Sequence, residues 1–232
     1  MTRLGVAAAH EIRLQWRYGI LAAAVFVTAV WVGVLRALPA AVMPTAIPVV
    51  VFADSAVIGL FFLAGAVLFE KDEGTQAALV VTPLRDWEYL TAKLAPLAVL
   101  SIAVALVITT AAAGGSAAPG LIAVGVGLLS LAVLLVAYAT AVRFDSITDY
   151  IVGVQAPLLP LALPLVPYLV EAVAHPAWWL APTNGAMVLI DGAVNGIGGR
   201  LVAVAILVQA AWVLALVPPA ARAHRRYVRG ER

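Results

Sequence analysis

The side chains able to do chemistry in this sequence gather in one place. Glu70, Lys71, Asp72, Glu73, Arg85, Asp86, Glu88 and Lys93 are eight of the 26 charged residues of a 232-residue chain, all within one stretch of 24 positions. On composition alone, charges at that density can merely keep a solvated connector out of lipid. Elsewhere reactive groups are sparse. Asp54 is the only ionisable residue inside a long apolar run, and His10, His175 and His224 are too scattered to share a metal ion. Cysteine is absent, which excludes thiolate catalysis, disulfides and Cys-based zinc or iron–sulfur sites. No Gly-x-x-x-x-Gly-Lys-[Ser/Thr] loop occurs, so the chain is not expected to hydrolyse ATP itself. No paired catalytic groups lie within the apolar runs, which argues against an intramembrane enzyme.

The elements that must position these groups follow from composition. Hydrophobic residues make up 64% of the chain and charged ones 11%, with a mean hydropathy of +1.06. A soluble domain carries about 25% charged residues, so the expected solvent is lipid and the expected fold an all-α polytopic membrane protein forming one transmembrane domain over 1–232. A bilayer core takes roughly 20 consecutive apolar residues per helix. Six such runs are predicted, at about 18–35, 48–69, 94–113, 119–142, 150–170 and 201–217. A cleaved signal peptide is the less favoured reading of the first run, because such an apolar region is only about 7–15 residues long.

Six spans place both termini on one side. Twelve of the 14 Lys and Arg fall on that side and only Arg36 and Arg200 on the other. Positive charge concentrates on the cytoplasmic face, so the expectation is a multi-pass membrane protein with both termini cytoplasmic. The net charge of +2 implies no nucleic-acid surface. Residues 1–17 suit an interfacial helix, with Ile12 and Trp16 on one face and basic groups among lipid phosphates. The outer segment 171–200, with Trp178, Trp179, Pro182 and several glycines, reads as short interfacial or re-entrant helices.

On the residues alone, the charged stretch 70–93 is either a solvated connector or a short surface helix, broken at Thr82-Pro83 and restarting at Asp86 as an N-cap. Its order of acidic residue, Gly74-Thr75, apolar stretch and Pro83 resembles the signature of ABC-2 type transporter permeases. The stretches Phe69-Glu70 through Gly74-Thr75, Thr82 through Leu90 with Lys93, Arg143 through Asp149, and Ala181-Pro182-Thr183 resemble more narrowly the actinobacterial fluoroquinolone-exporter permease group. That resemblance implies a cytoplasmic coupling helix in 70–93 that docks on an ABC ATP-binding subunit through Glu70, Glu73, Gly74, Thr75 and Pro83. It implies that 1–17 forms an elbow helix touching the same subunit. Gln76 departs from the leucine common in the family after Gly-Thr. No cofactor is expected on this chain, with ATP and Mg on the partner, and a second permease, the same or a related chain, is expected beside it.

The implied function is a permease subunit of an ATP-driven exporter of hydrophobic or amphipathic compounds, drugs such as fluoroquinolones among them. Export of haem or lipid by the same architecture, and a scaffold that moves nothing, stay open as alternatives. Two features inside the spans are candidates for the substrate pathway. Asp54 lies roughly 9 Å deep at 1.5 Å per residue, where a carboxylate must be paired, hydrated or protonated. Pro157, Pro160, Pro164 and Pro167 fall within about an 80° sector, so the fifth span is expected to bend about one side, with Gln155 as a polar contact. A structural role, as an interhelical hydrogen bond or a fixed curve, is the competing expectation for both.

Overall fold

The computed structural model describes residues 3–74, 85–170 and 176–229, and among these the regular structure is entirely helical. The order is α1 Arg3–Arg17, α2 Ile20–Ala37, α3 Met43–Val57, a π-turn Ile58–Phe62, α4 Leu63–Asp72, α5 Asp86–Ala113, α6 Pro119–Ala141, α7 Ile147–Ala162, α8 Leu165–Leu169, α9 Asn184–Asn195 and α10 Gly199–Arg229. Short 3₁₀ segments stand at Ala40–Val42 and Pro176–Leu180.

Five helical stretches are long and apolar enough to cross a membrane: α2, the continuous run Ala40–Asp72, α5, α6 and α10. The remaining expected span, 150–170, is shorter than anticipated. α7 has 16 residues and stops at Ala162, and α8 resumes only at Leu165. Proline causes this, because Pro157, Pro160, Pro164 and Pro167 remove the N–H groups that the carbonyls of Gly153, Ala156, Pro160 and Leu163 would have accepted. The Thr183 hydroxyl donates to the Leu161 carbonyl, 2.5 Å away, at the same break.

α6 is the centre of the bundle. Ile122, Val126, Leu129, Val133, Ala137 and Tyr138 are fully buried, and the helix packs against α5, α9, α10 and α3. α2 and α10 are peripheral and turn Val25, Phe26, Leu207 and Leu214 outward. Apolar exposure of that extent suits a chain surrounded by hydrocarbon rather than water.

Within the segment expected to hold short interfacial or re-entrant helices, α9 is short and buried in the bundle rather than lying at its surface. Asn184, Gly185, Ala186, Met187, Leu189, Ile190, Gly192 and Ala193 are buried, with α9 packed against α6 and α10. Gly185 permits this, since a Cβ there would stand 2.5 Å from the Ala205 carbonyl. The Gln209 side-chain oxygen accepts from the Ala186 N–H at 3.1 Å, filling a donor that the first turn of α9 leaves unpaired. Gln209→Leu is therefore expected to lower stability by about 1–3 kcal/mol, the cost of one buried unsatisfied donor, read as a drop in thermal unfolding midpoint. An unchanged midpoint removes the capping role.

α10 also runs further than the expected span, through Pro218-Pro219 to Arg229. The carbonyls lost to the two prolines are offset by burial of Ala220, Ala223 and His224 in the turns that follow.

Candidate functional site

The site is built where both termini and the charged stretch meet. α4 ends at Asp72, with Glu73 closing the helix and Gly74 turning left-handed at φ 68°. The Gly74 N–H donates to the Lys71 carbonyl at 3.0 Å, so the signature glycine acts as a helix C-terminal stop that a side chain would strain. α5 restarts with the Glu88 carboxylate accepting from the Arg85 N–H at 2.8 Å. This corrects the expected cap: Arg85 precedes the helix, Glu88 reaches back to it, and Asp86 instead faces Arg225 at 3.6 Å.

Lys93 is the hub. Its side chain is 1% exposed, and its Nζ meets Glu70 Oε1 at 2.5 Å and Glu11 Oε1 at 3.2 Å. The Tyr89 hydroxyl donates to Glu70 Oε2 at 3.4 Å, and the Lys93 ammonium stands 5.3 Å from the Tyr89 ring. One cation thus ties α1, α4 and α5 together. A second layer follows, with Tyr89 stacked on His224 at 4.7 Å between ring centroids and the Tyr138 hydroxyl 2.7 Å from His224 Nδ1. Through these aromatic groups α6 and the end of α10 join the same cluster.

α1 is oriented by this chemistry. Its polar Glu11 and Gln15 are buried against the bundle, while Val6, Ile12 and Trp16 face outward. That inversion fits a helix whose outer surroundings are lipid. Burial is the larger influence on Glu11 and pushes its carboxyl above the ordinary value of 4.5, with Lys93 pulling the other way.

Two further clamps complete the platform. Lys71 Nζ donates to the carbonyls of Val142, at 3.0 Å, and Phe144, at 2.6 Å, meeting the free carbonyls that follow α6. Ser146 accepts from the Asp149 N–H at 3.1 Å and so caps α7. The stretch Arg143 through Asp149 is therefore a built corner between α6 and α7. Outside the buried cluster, Glu73 takes Arg17 Nη2 at 3.3 Å and the Tyr18 hydroxyl at 3.2 Å, in exposed surroundings.

The expected coupling residues separate accordingly. Glu70 does not face outward to a partner, because its carboxylate is buried on Lys93. Glu73 and Gly74 lie at the surface end of α4, while Thr75, Pro83 and most of the expected coupling helix fall outside the described residues. Sequence reasoning places Lys93 in the charged stretch but not at its centre, and misses Glu11, although Glu11 and Gln15 share a face of α1 about 100° round from Ile12 and Trp16.

A profile of the fluoroquinolones export permease protein family matches residues 2–231. The chain belongs to that family. Among similar proteins is the fluoroquinolones export permease protein of Mycobacterium tuberculosis, from strains CDC 1551 / Oshkosh and ATCC 25618 / H37Rv. It is 41% identical over 194 residues, which cover 83% of this chain and 81% of the relative. As a member of this permease family, the chain is the membrane-spanning subunit of an exporter.

The pathway candidates within the spans are not assembled into one site. Asp54 is 2% exposed and its Oδ1 has no hydrogen-bond partner among the described residues, while Trp31 of α2 approaches the carboxylate as a donor. Gln155 is exposed and spends its amide on the Ile151 carbonyl of its own helix, 3.1 Å away. Pro164 is buried, Pro157 half-buried and Pro160 exposed, so the three do not line one common surface as the sector geometry implies. A cluster that sequence reasoning misses joins three elements. Asp191 Oδ1 accepts from the Tyr168 hydroxyl at 2.8 Å and from Asn195 Nδ2 at 2.6 Å, and the same amide reaches the Pro44 carbonyl.

Proposed function

We propose that this permease works in the bacterial inner membrane as half of a two-permease unit, driven by separate ABC ATP-binding subunits that carry ATP and Mg. Its termini and the stretch 70–93 face the cytoplasm. Hydrophobic or amphipathic compounds are the cargo, and the names of its relatives favour fluoroquinolones. One observation supports the mechanical part of this reading: Lys93 binds the start of α5, the end of α4 and α1 into a single buried ion cluster. Force delivered to the loop between Gly74 and Arg85 by closing ATPases enters α4 and α5 directly and carries α1 with them. The spans then tilt as connected bodies and release cargo outward, which is hinge-and-shear transport rather than chemistry.

The test separates docking from folding by using Glu73, whose carboxylate is exposed, rather than buried Glu70. Wild-type permease should co-purify with its ATP-binding subunit and export a fluoroquinolone from inverted vesicles with ATP. Glu73→Lys should insert and fold normally yet weaken that association about fivefold to tenfold, the size expected of one interfacial charge reversal. Undiminished assembly of Glu73→Lys with the ATP-binding subunit discards the docking role of this corner.

A further inference from the structure

A groove of about 150 Å³ runs between the start of α2 and the π-turn with α4, lined chiefly by Tyr18, Phe61, Phe62, Gly65, Ala66 and Phe69. Helical spacing explains its shape. Phe61, Gly65 and Phe69 stand at intervals of four, as do Phe62 and Ala66, so aromatic rings bracket a floor of small residues. From Phe61 to Phe69 the floor is about 12 Å long at 1.5 Å per residue. Gly65 leaves real room there, since a Cβ on it would find only the Phe69 ring, at 3.9 Å. The π-turn that sets the phase of Phe61 and Phe62 is a local irregularity of the kind often found at binding sites. Its Leu60 carbonyl is held by the Tyr150 hydroxyl at 2.9 Å.

The groove has a polar end. Tyr18 and Phe69, with ring centroids 5.1 Å apart, close it beside Arg17 and Glu73, which pair at 3.3 Å while exposed to 67% and 37%. Flat aromatic walls, a glycine floor and one accessible charge of each sign complement a planar aromatic zwitterion. A fluoroquinolone is such a molecule, with a carboxylate to meet Arg17, a basic amine to meet Glu73 and a fused ring system for the floor. We infer that this groove is the site at which the permease first binds its planar aromatic zwitterionic substrate, taking it from the adjacent leaflet. Drug-sized pockets run to about 300–1,000 Å³, so this groove seats one face and one edge of the ring system. That size suits an entry site rather than an enclosed one.

This inference rests on the drug-export reading, and the experiment keeps the two apart. Purified permease in nanodiscs is titrated with a fluoroquinolone, read by the drug's own fluorescence. Gly65→Leu fills the floor and is expected to weaken binding about tenfold or more, with an unfolding midpoint like that of wild type. Phe61→Ala, at a ring already 49% exposed, removes one wall and should weaken binding about threefold to tenfold without touching the core. Wild-type binding with both variants unchanged overturns the groove alone, as it would if only a lipid chain occupies it. Wild-type protein that binds no fluoroquinolone while its assembled complex exports none overturns the cargo reading as well.

Discussion

Lys93→Met is expected to destabilise the folded permease by about 3–5 kcal/mol, because it strands two carboxylates in a buried cluster. The cation is 1% exposed and the side chains of Glu11 and Glu70 only 11% and 10%, so water is poorly placed to replace it. The absence of cysteine makes a second readout clean. Gln15 is 5% exposed beneath α1, so the single thiol introduced by Gln15→Cys should resist maleimide while Lys93 is present and react readily once Met replaces it. Neutralising all three members together, with Glu11→Gln, Glu70→Gln and Lys93→Met, should recover most of the loss, since an apolar or neutral cluster avoids the desolvation of charge. An unaltered unfolding midpoint and a still-protected thiol in the Lys93→Met background would sink the hub assignment.

Glu11 adds a pH signature to the same cluster. Burial raises its carboxyl above the ordinary 4.5, so docked α1 binds a proton that free α1 releases. The Glu11 contribution to docking therefore increases as pH falls through that raised range and is complete below 4.5, the reverse of an ordinary salt-bridged carboxylate. Glu11→Gln, which fixes the neutral form, should cost far less than Lys93→Met and flatten this part of the midpoint-against-pH curve.

Legibility divides along the range of the interactions involved. The apolar runs are readable because span length is a local property, and five of the six emerge as sufficiently long helices. The stop at Gly74 depends on equally local geometry, yet Gly74 is singled out in the sequence only as part of a motif. What spacing does not reveal is which way a charge points. Lys93 finds Glu70 across 23 positions and Glu11 across 82, and no spacing rule connects residues that far apart. Glu70 is expected as a docking residue from the resemblance of its motif, whereas its carboxylate is buried against Lys93. The fifth span is interrupted for the opposite reason: its prolines are visible, but spacing does not say whether they bend the helix or break it at Leu163-Pro164, where the Thr183 hydroxyl donates to the nearby Leu161 carbonyl. α9 reads as an interfacial or re-entrant helix because its glycines suggest irregular chain, and Gly185 and Gly192 are the positions where it seats closely against the residues around it.

A tight helix approach through the middle of the bundle gives the second large effect. A Cβ on Gly59 would stand 2.7 Å from Val133 Cγ1 and 3.2 Å from its Cβ. Val133 is fully buried on α6, and a β-branched side chain in a helix has one strongly preferred rotamer, so the methyl has nowhere to turn. Gly59→Ala should therefore cost about 1–3 kcal/mol by overpacking, and a larger residue more. Val133→Ala removes the obstructing methyl, and the double variant should be more stable than Gly59→Ala alone, a coupling that only direct contact produces. The consequence extends beyond stability because Gly59 is the second residue of the π-turn, whose Leu60 carbonyl is already pinned by Tyr150. Pressure from α6 at Gly59 falls on the same turn that carries Phe61 and Phe62. Gly59→Ala is thus expected to weaken the fluoroquinolone binding proposed for the groove as well, and Val133→Ala to restore binding and midpoint together. Recovery of the midpoint without recovery of binding would show that the turn and the groove are set independently of this contact.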